Sequence, residues 1–249
     1  MPVKVVIFDI DNTLLDWSQR RVGWFADPEG HIAHLAKTAR VFEPGISPDK
    51  IEALVESFKE EQRNTMYEET EEAPHLGRML ARHLHKVGIT SEVVGDDVVL
   101  EAYNWTVTPG VEPFPDVLEV LPILREHHVP LGIITNGYQP ISQRDLELEA
   151  YGLLQYISEC RFSSADVGVL KPDARIFKAA LDCMGVTPDE AVYVGDNPVM
   201  DVIGAQRAGM KGVWRLPEGQ DPKVWSWVKP DAIIDTLHDL LPILEKWMS

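Results

Sequence analysis

With 249 residues, 45% of them hydrophobic, the chain has apolar side chains enough for one large domain or two smaller ones. Acidic residues outnumber basic ones 40 to 23, a formal charge of −17 that argues against nucleic-acid polymers and anionic membranes as partners. A small anionic substrate remains open, because one lysine and a bound cation can reverse the sign inside a cleft.

The first element is the apolar, β-branched run Val5–Phe8, which reads as a buried strand. It stops at Asp9, and Asp11, Asn12 and Thr13 follow. Two carboxylates and a hydroxyl are thereby presented at the C-terminal end of a buried strand, where open α/β sheets bind ligands. Like charges this close resist joint ionisation unless a cation lies between them, and Mg²⁺ with its oxygen ligands suits the need. Taken alone, Asp-x-Asp is equally an Asx turn with both acids in solvent. The opening run is too short for a signal peptide or a membrane span, so a soluble, cytoplasmic chain is expected. Cys160 and Cys183 fit no metal-ligand spacing. They are expected to be reduced and to fill small spaces in the core.

Between residues 17 and 108 the strand patterns give way to helical ones. Ser47-Pro48 offers an N-cap with proline at the first helical position, and Ile51, Leu54, Val55 and Phe58 follow on one face. Leu76, Met79, Leu80, Leu84 and Val87 repeat the pattern, with Gly88 as a stop. Val94, Val98 and Tyr103 suggest a helix after Ser91, and Asp27-Pro28 an earlier one through Ile32, Leu35, Ala36 and Ala39. These faces need one another, which makes a helical bundle the economical reading. The chain then divides into an α/β core of residues 1–16 and 109–249 and an inserted helical domain of residues 17–108. Asp16–Gln19 and Thr108–Phe114 are the linkers. Glu68–Glu72 reads as a solvated acidic loop.

From Pro115 strands and helices alternate. Val117, Leu118, Val120, Leu121 and Leu124 mark a helix, and Pro130–Ile134 a buried strand ending at Thr135-Asn136-Gly137. A strand is expected around Tyr156–Cys160, then a helix opened by Leu170–Asp173 and carrying Ile176, Phe177, Ala180 and Leu181. Ala191–Val194 reads as a strand ending at Gly195-Asp196, with a helix from Met200 to Ala208 behind it. Gly212–Trp214 and Ala232–Ile234 are further strands, and Leu237–Trp247 a terminal helix. The expected fold is α/β, a parallel Rossmann-like sheet with helices on both faces and right-handed crossovers.

Each polar motif falls where a buried strand ends or the next helix starts. Thr135 and Asn136 can offer a hydroxyl and backbone amides to phosphate oxygens, helped by the next helix's N-terminus. Lys171 can reach the same anion as a compact cation. Gly195-Asp196-Asn197-Pro198-Val199-Met200-Asp201 supplies two acids that can complete a metal site. In this order Asp9-x-Asp11-x-Thr13, Thr135, Lys171 and Gly195-Asp196-x-x-x-x-Asp201 resemble the four motifs of the haloacid dehalogenase-like hydrolase superfamily, in its phosphatase branch. The insert resembles the helical cap of the subgroup whose insertion follows the first strand, which closes over the site and meets the leaving group.

The resemblance implies a Mg²⁺-dependent phosphatase. Asp9 is then the nucleophile that forms an aspartyl-phosphate, and Asp11 the general acid and base. The metal is held by Asp9, the backbone carbonyl of Asp11 and Asp196. Asp201 orients Lys171 or a water beside the metal, with Thr13 nearby. Thr135, Asn136 and Lys171 neutralise the phosphoryl oxygens. The dehalogenase branch lacks the second acid, so Asp11 favours phosphoryl transfer. The implied substrate is a small phosphorylated metabolite of the sugar phosphate, phosphoglycolate or nucleoside monophosphate type. A phosphomutase with the same intermediate, a phospho-aspartate signalling module and a binding protein on a retired enzyme fold are the alternatives. Oligomeric state is not legible. Trp17, Trp24 and Trp105 lie near the linkers, where core packing competes with lining the cleft. Arg20, Arg21, Arg63 and Tyr138 are candidates for leaving-group contacts. The paired histidines, such as His83 and His85, read as packing residues rather than ligands.

Overall fold

The computed structural model describes residues 1–18, 31–67, 72–89 and 95–249, without the side chains of residues 31, 32 and 62–67. Val5–Phe8 forms β1, buried along its whole length. Its carboxyl end runs into a turn in which Asn12 adopts a left-handed conformation, φ 56°, that asparagine tolerates better than most residues. The turn feeds Leu15–Asp16 (β2).

Among the described residues four helices follow: His31–Phe42 (α1), Pro48–Tyr67 (α2), Leu76–Lys86 (α3) and Asp96–Tyr103 (α4). Leu35, Leu54, Phe58, Leu76, Leu80, Val99, Tyr103 and Trp105 pack into an apolar cluster of their own. The Ser47 cap is as expected, its Oγ accepting the Lys50 amide at 3.4 Å. Val98, however, is exposed, and Val99 and Leu100 fill the core-facing positions of α4. Asp27, Pro28, Ser91, Val94 and most of the acidic loop lie outside the described residues. The chain returns through Glu112–Pro113 (β3), which pairs antiparallel with β2. The outgoing and returning connections are therefore hydrogen-bonded to each other.

Next come Pro115–Glu126 (α5), Leu131–Thr135 (β4), Ile141–Ala150 (α6), Arg161–Ser163 (β5), Ser164–Val167 (α7) and Ala174–Met184 (α8). Ala191–Gly195 (β6), Gly204–Arg207 (α9), Lys211–Arg215 (β7), Ala232–Ile234 (β8) and Leu240–Met248 (α10) complete the chain. The larger sheet has the order β5-β4-β1-β6-β7-β8, every neighbouring pair parallel. Val6, Phe8, Ile133 and Val194 bury one face with side chains of α5, α6 and α10. Val5, Ile7, Ile134 and Tyr193 bury the other against α8 and α9. The chain builds outward from β1 to β4 and β5, then crosses to β6, β7 and β8. The order thus reverses between β1 and β6, the switch point at which such sheets bind ligands.

Three expectations need correction. The strand expected at Tyr156–Cys160 lies at Arg161–Ser163, because Leu154–Tyr156 make a tight 3₁₀ turn instead. The helix expected from Met200 begins at Pro198 as a wide π-turn and becomes regular only at Gly204. The two cysteines are not free thiols: Cys160, just before β5, forms a disulfide with Cys183 of α8, their Cα atoms 5.6 Å apart. The pairing spans 23 residues and removes the inference from cysteine content to a reducing compartment. No helix among the described residues is long and apolar enough to cross a membrane.

Candidate active site

Register alone brings the acids together. Phe8 of β1 is level with Ile133 of β4 and Val194 of β6, so Asp9 leaves the sheet beside Gly195, one residue before Asp196. The Asp9 amide still donates to Val194 O at 2.9 Å, fixing the carboxylate at the sheet edge. Thr135 ends β4 on the other flank, buried, its Oγ1 without a hydrogen-bond partner. Thr13 Oγ1 is likewise buried and unpartnered, while its carbonyl accepts from Arg215 Nη1. Two orphaned hydroxyls at the mouth of a sheet are the kind of group a ligand satisfies.

Lys171, two residues before the Asp173 cap of α8, is only 2% exposed. Its Nζ lies 2.8 Å from Asp9 Oδ1 and 2.7 Å from Asp201 Oδ1, and it donates to Tyr193 Oη at 2.9 Å. Tyr193 Oη in turn donates to Ile134 O, so the ammonium rests on a hydroxyl anchored in the sheet. Burial disfavours the lysine's charge, but Asp201 and Asp9 outweigh it and hold the ammonium above its ordinary pKa. Asp201 Oδ2 accepts the Asn197 amide, a bond the π-turn makes possible. A Cβ on Gly195 would come within 2.3 Å of the Asp201 carboxylate, so only glycine lets that acid approach.

Carboxylate oxygens of Asp9, Asp196 and Asp201 lie within 4.8 Å of one another. Burial pushes the Asp9 carboxyl up to about 7, with Lys171 opposing and Asp201 and Asp11 adding to the rise. Asp196 is pushed up to about 8 by burial and then by Asp9 and Asp201. One lysine does not balance three clustered acids, and a hard divalent cation would. The residues present fit such an ion. A cleft lined by Asn12, Asp16, Phe114 and Arg215 opens beside Asp196.

Asp11 faces a different set of partners. Arg144 Nη2 and Trp17 Nε1 both donate to its Oδ1, at 2.7 and 2.8 Å. Arg144 is absent from the motifs read in sequence. The available signal was spacing: Ile141, Arg144 and Leu148 recur at the period of one helix face, which puts a guanidinium on a core-facing position. Asn136 directly follows Thr135 at the end of β4. Its side chain donates to Lys171 O at 3.1 Å and accepts the Lys171 amide at 2.7 Å, so it clamps the lysine's backbone. The helix expected to lend its N-terminus to Thr135 starts only at Ile141, after an intervening loop. Tyr138 packs partly buried against the helical cluster, and its carbonyl accepts the Leu76 amide. Arg20, Arg21 and Trp24 lie outside the described residues, as does the Arg63 side chain. His83 is buried among helices α2 and α3, bonded to Glu61 and Ser57, as a packing role requires.

The sequence model of a family described as haloacid dehalogenase-like hydrolase matches residues 3–209. A protein of Methanopyrus kandleri named glyceraldehyde 3-phosphate phosphatase is 31% identical over 255 residues, covering 98% of each chain. A phosphoserine phosphatase of Thermus thermophilus is 32% identical over 218 residues, 87% of this chain and 76% of that one. Among solved structures, the 2-haloacid dehalogenase of Pseudomonas syringae pv. Tomato DC3000 superposes with a TM-score of 0.62 at 28% identity, over 98% of this chain and 99% of that one.

Proposed function

The chain belongs to the haloacid dehalogenase-like hydrolase family, and on that premise we propose that it is a Mg²⁺-dependent phosphatase of small phosphate monoesters working through an aspartyl-phosphate on Asp9. The observation that carries this reading is a buried Asp9, salt-bridged to Lys171, with a second acid two residues on. That acid, Asp11, keeps its Oδ2 free of hydrogen bonds among the described residues, so one oxygen is held and the other is open to a proton. A carbon-attacking dehalogenase has no use for it, although a solved structure of that name shares the fold.

The carboxylate of Asp9 attacks phosphorus and the ester P–O bond breaks. Asp11 gives its proton to the departing alkoxide, then takes one from the water that attacks the aspartyl-phosphate. Inorganic phosphate leaves and Asp9 is restored. Lys171 and the Thr135 hydroxyl meet the phosphoryl oxygens, where transition-state charge is spread. Asn136 and Tyr193 act through Lys171, one on its backbone and one on its ammonium. Asp9, Asp196 and the Asp11 carbonyl would hold Mg²⁺, with Asp201 beside them bonded to Lys171. When bound, the ion offsets the charge of the clustered carboxylates and the phosphate. Helices α1–α4, with their own core and paired connections, are suited to act as a cap that excludes water. The substrates named for the Methanopyrus and Thermus relatives support a small phosphorylated metabolite.

Phosphate release from a panel of sugar, hydroxy-acid and nucleoside monophosphates, with Mg²⁺ or with a chelator, tests the reading. Turnover of at least one ester that chelation abolishes and Mg²⁺ restores is expected. No release from any ester with Mg²⁺ present overturns it.

A further inference from the structure

Arg144 is buried to 2% exposure, in a helix that carries none of the phosphate or metal groups. One side of its guanidinium donates to Asp11 Oδ1 at 2.7 Å. Its Nε lies 3.1 Å from Glu147 Oε2, one turn along α6, an ion pair too oblique to count as a hydrogen bond. Glu147 Oε1 accepts from Trp105 Nε1 at 2.9 Å. Trp105 belongs to the apolar cluster of α1–α4 and stacks on Tyr103, ring centroids 6.1 Å apart. A continuous path therefore runs from the helical unit through Trp105, Glu147 and Arg144 to Asp11. Trp17, on the outgoing connection, closes on the same Asp11 oxygen from the other side.

Burying a guanidinium and a carboxylate is costly unless each is paired. A brace within α6 would need only Arg144 and Glu147. The extension at both ends, to a reacting acid and to a tryptophan of the helical unit, is more than bracing requires. Because Arg144 and Trp17 share Oδ1, the carboxylate is held with Oδ2 turned away from both donors.

We propose that Arg144 is a positioning residue for Asp11, and that Glu147 and Trp105 make this orientation depend on the helical unit being seated against the core. The proposal rests on the phosphatase reading above. With the unit displaced, Trp105 withdraws from Glu147, Arg144 loses its second anchor, and Asp11 is free to turn from the leaving oxygen. Proton delivery is thereby confined to the closed site.

The test compares p-nitrophenyl phosphate, whose leaving group departs without a proton, with ethyl phosphate, whose alkoxide needs one. Arg144→Met should lower kcat on ethyl phosphate about tenfold or more beyond its effect on p-nitrophenyl phosphate. KM and inhibition by inorganic phosphate should change little. Arg144→Lys, which keeps one donor for Asp11, should recover part of the loss. Trp105→Phe retains the ring but not the N–H, and should shift the same ratio in the same direction by a smaller factor. If Arg144→Met does not fold, the Trp105→Phe ratio decides. Equal losses on both esters, or an unchanged ratio, overturn the proposal while leaving the phosphatase reading intact. Wild-type protein releasing no phosphate from either ester or from the wider panel overturns both.

Discussion

At the scale of single residues, the division of labour between Asp9 and Asp11 follows from their partners. Asp9 meets a buried ammonium and two further acids, whereas among the described residues Asp11 meets donors at one oxygen only. An anion pinned among charges suits attack on phosphorus, and a half-free carboxyl suits proton transfer. Asp11→Asn keeps the shape and removes the transferable proton. Its kcat on an alkyl phosphate should fall by roughly 10²–10⁴, with a much smaller loss on p-nitrophenyl phosphate. Steady-state kinetics on the two esters check this, and near-normal alkyl-phosphate turnover would remove Asp11 from the role. The motif acids were legible in the sequence because Asp9 and Asp196 come where buried apolar runs end, with Asp11 and Asp201 at short spacing behind them. Arg144, Glu147 and Trp105 were not. Arg144 and Asp11 are 133 residues apart, and an Arg/Glu pair at i, i+3 normally reads as a solvated helix face.

At the scale of elements, the site depends on how β6 hands over to the helix behind it. Gly195 ends the strand, and the π-turn at Pro198–Ile203 brings Asp201 back over it. Gly195→Ala places a methyl group within 2.3 Å of that carboxylate and forces Asp201 off Lys171. Overpacking of this kind costs about 1–3 kcal/mol. A Tm lower by several degrees, at about 2–4 °C per kcal/mol for a chain of this size, is the expected outcome by thermal unfolding. An unchanged Tm would show that Asp201 moves freely. The strands were legible wherever apolar runs were bounded by turn residues. β5 was misplaced because its three residues are only partly apolar, whereas Tyr156 and Ile157 beside them look more strand-like than the turn they form. The disulfide was illegible for a related reason. It depends on β5 and α8 lying side by side, which spacing alone does not state.

At the scale of the whole molecule, the clustered acids should make stability depend on pH and metal together. Asp9 and Asp196 have folded pKa values of about 7 and about 8, raised from 3.8 chiefly by burial. The folded state therefore binds more protons than the unfolded chain at neutral pH. The favourable contribution is complete below the unfolded value and is lost as pH rises through 7 and 8. The acids with lowered values, Asp173 and Asp239 among them, act below this window, and so do His75 and His83. In a chelator the Tm should fall from about pH 6.5, above the range of the histidines, to about pH 8, and level off beyond it, where both acids are ionised in either state. Mg²⁺ should raise it most at the alkaline end, where protons no longer compete for the carboxylates. Thermal unfolding with and without the ion measures both, and a Mg²⁺ effect that vanishes at alkaline pH would contradict a site built on these acids.

The central claim is that phosphorus passes through Asp9. Quenching the protein during turnover, reducing any acyl-phosphate with borohydride and mapping the peptides by mass spectrometry tests it directly. Reduction is predicted at Asp9 alone, and should be lost in Asp9→Asn. Reduction at another carboxylate, or none while phosphate is being released, would contradict it.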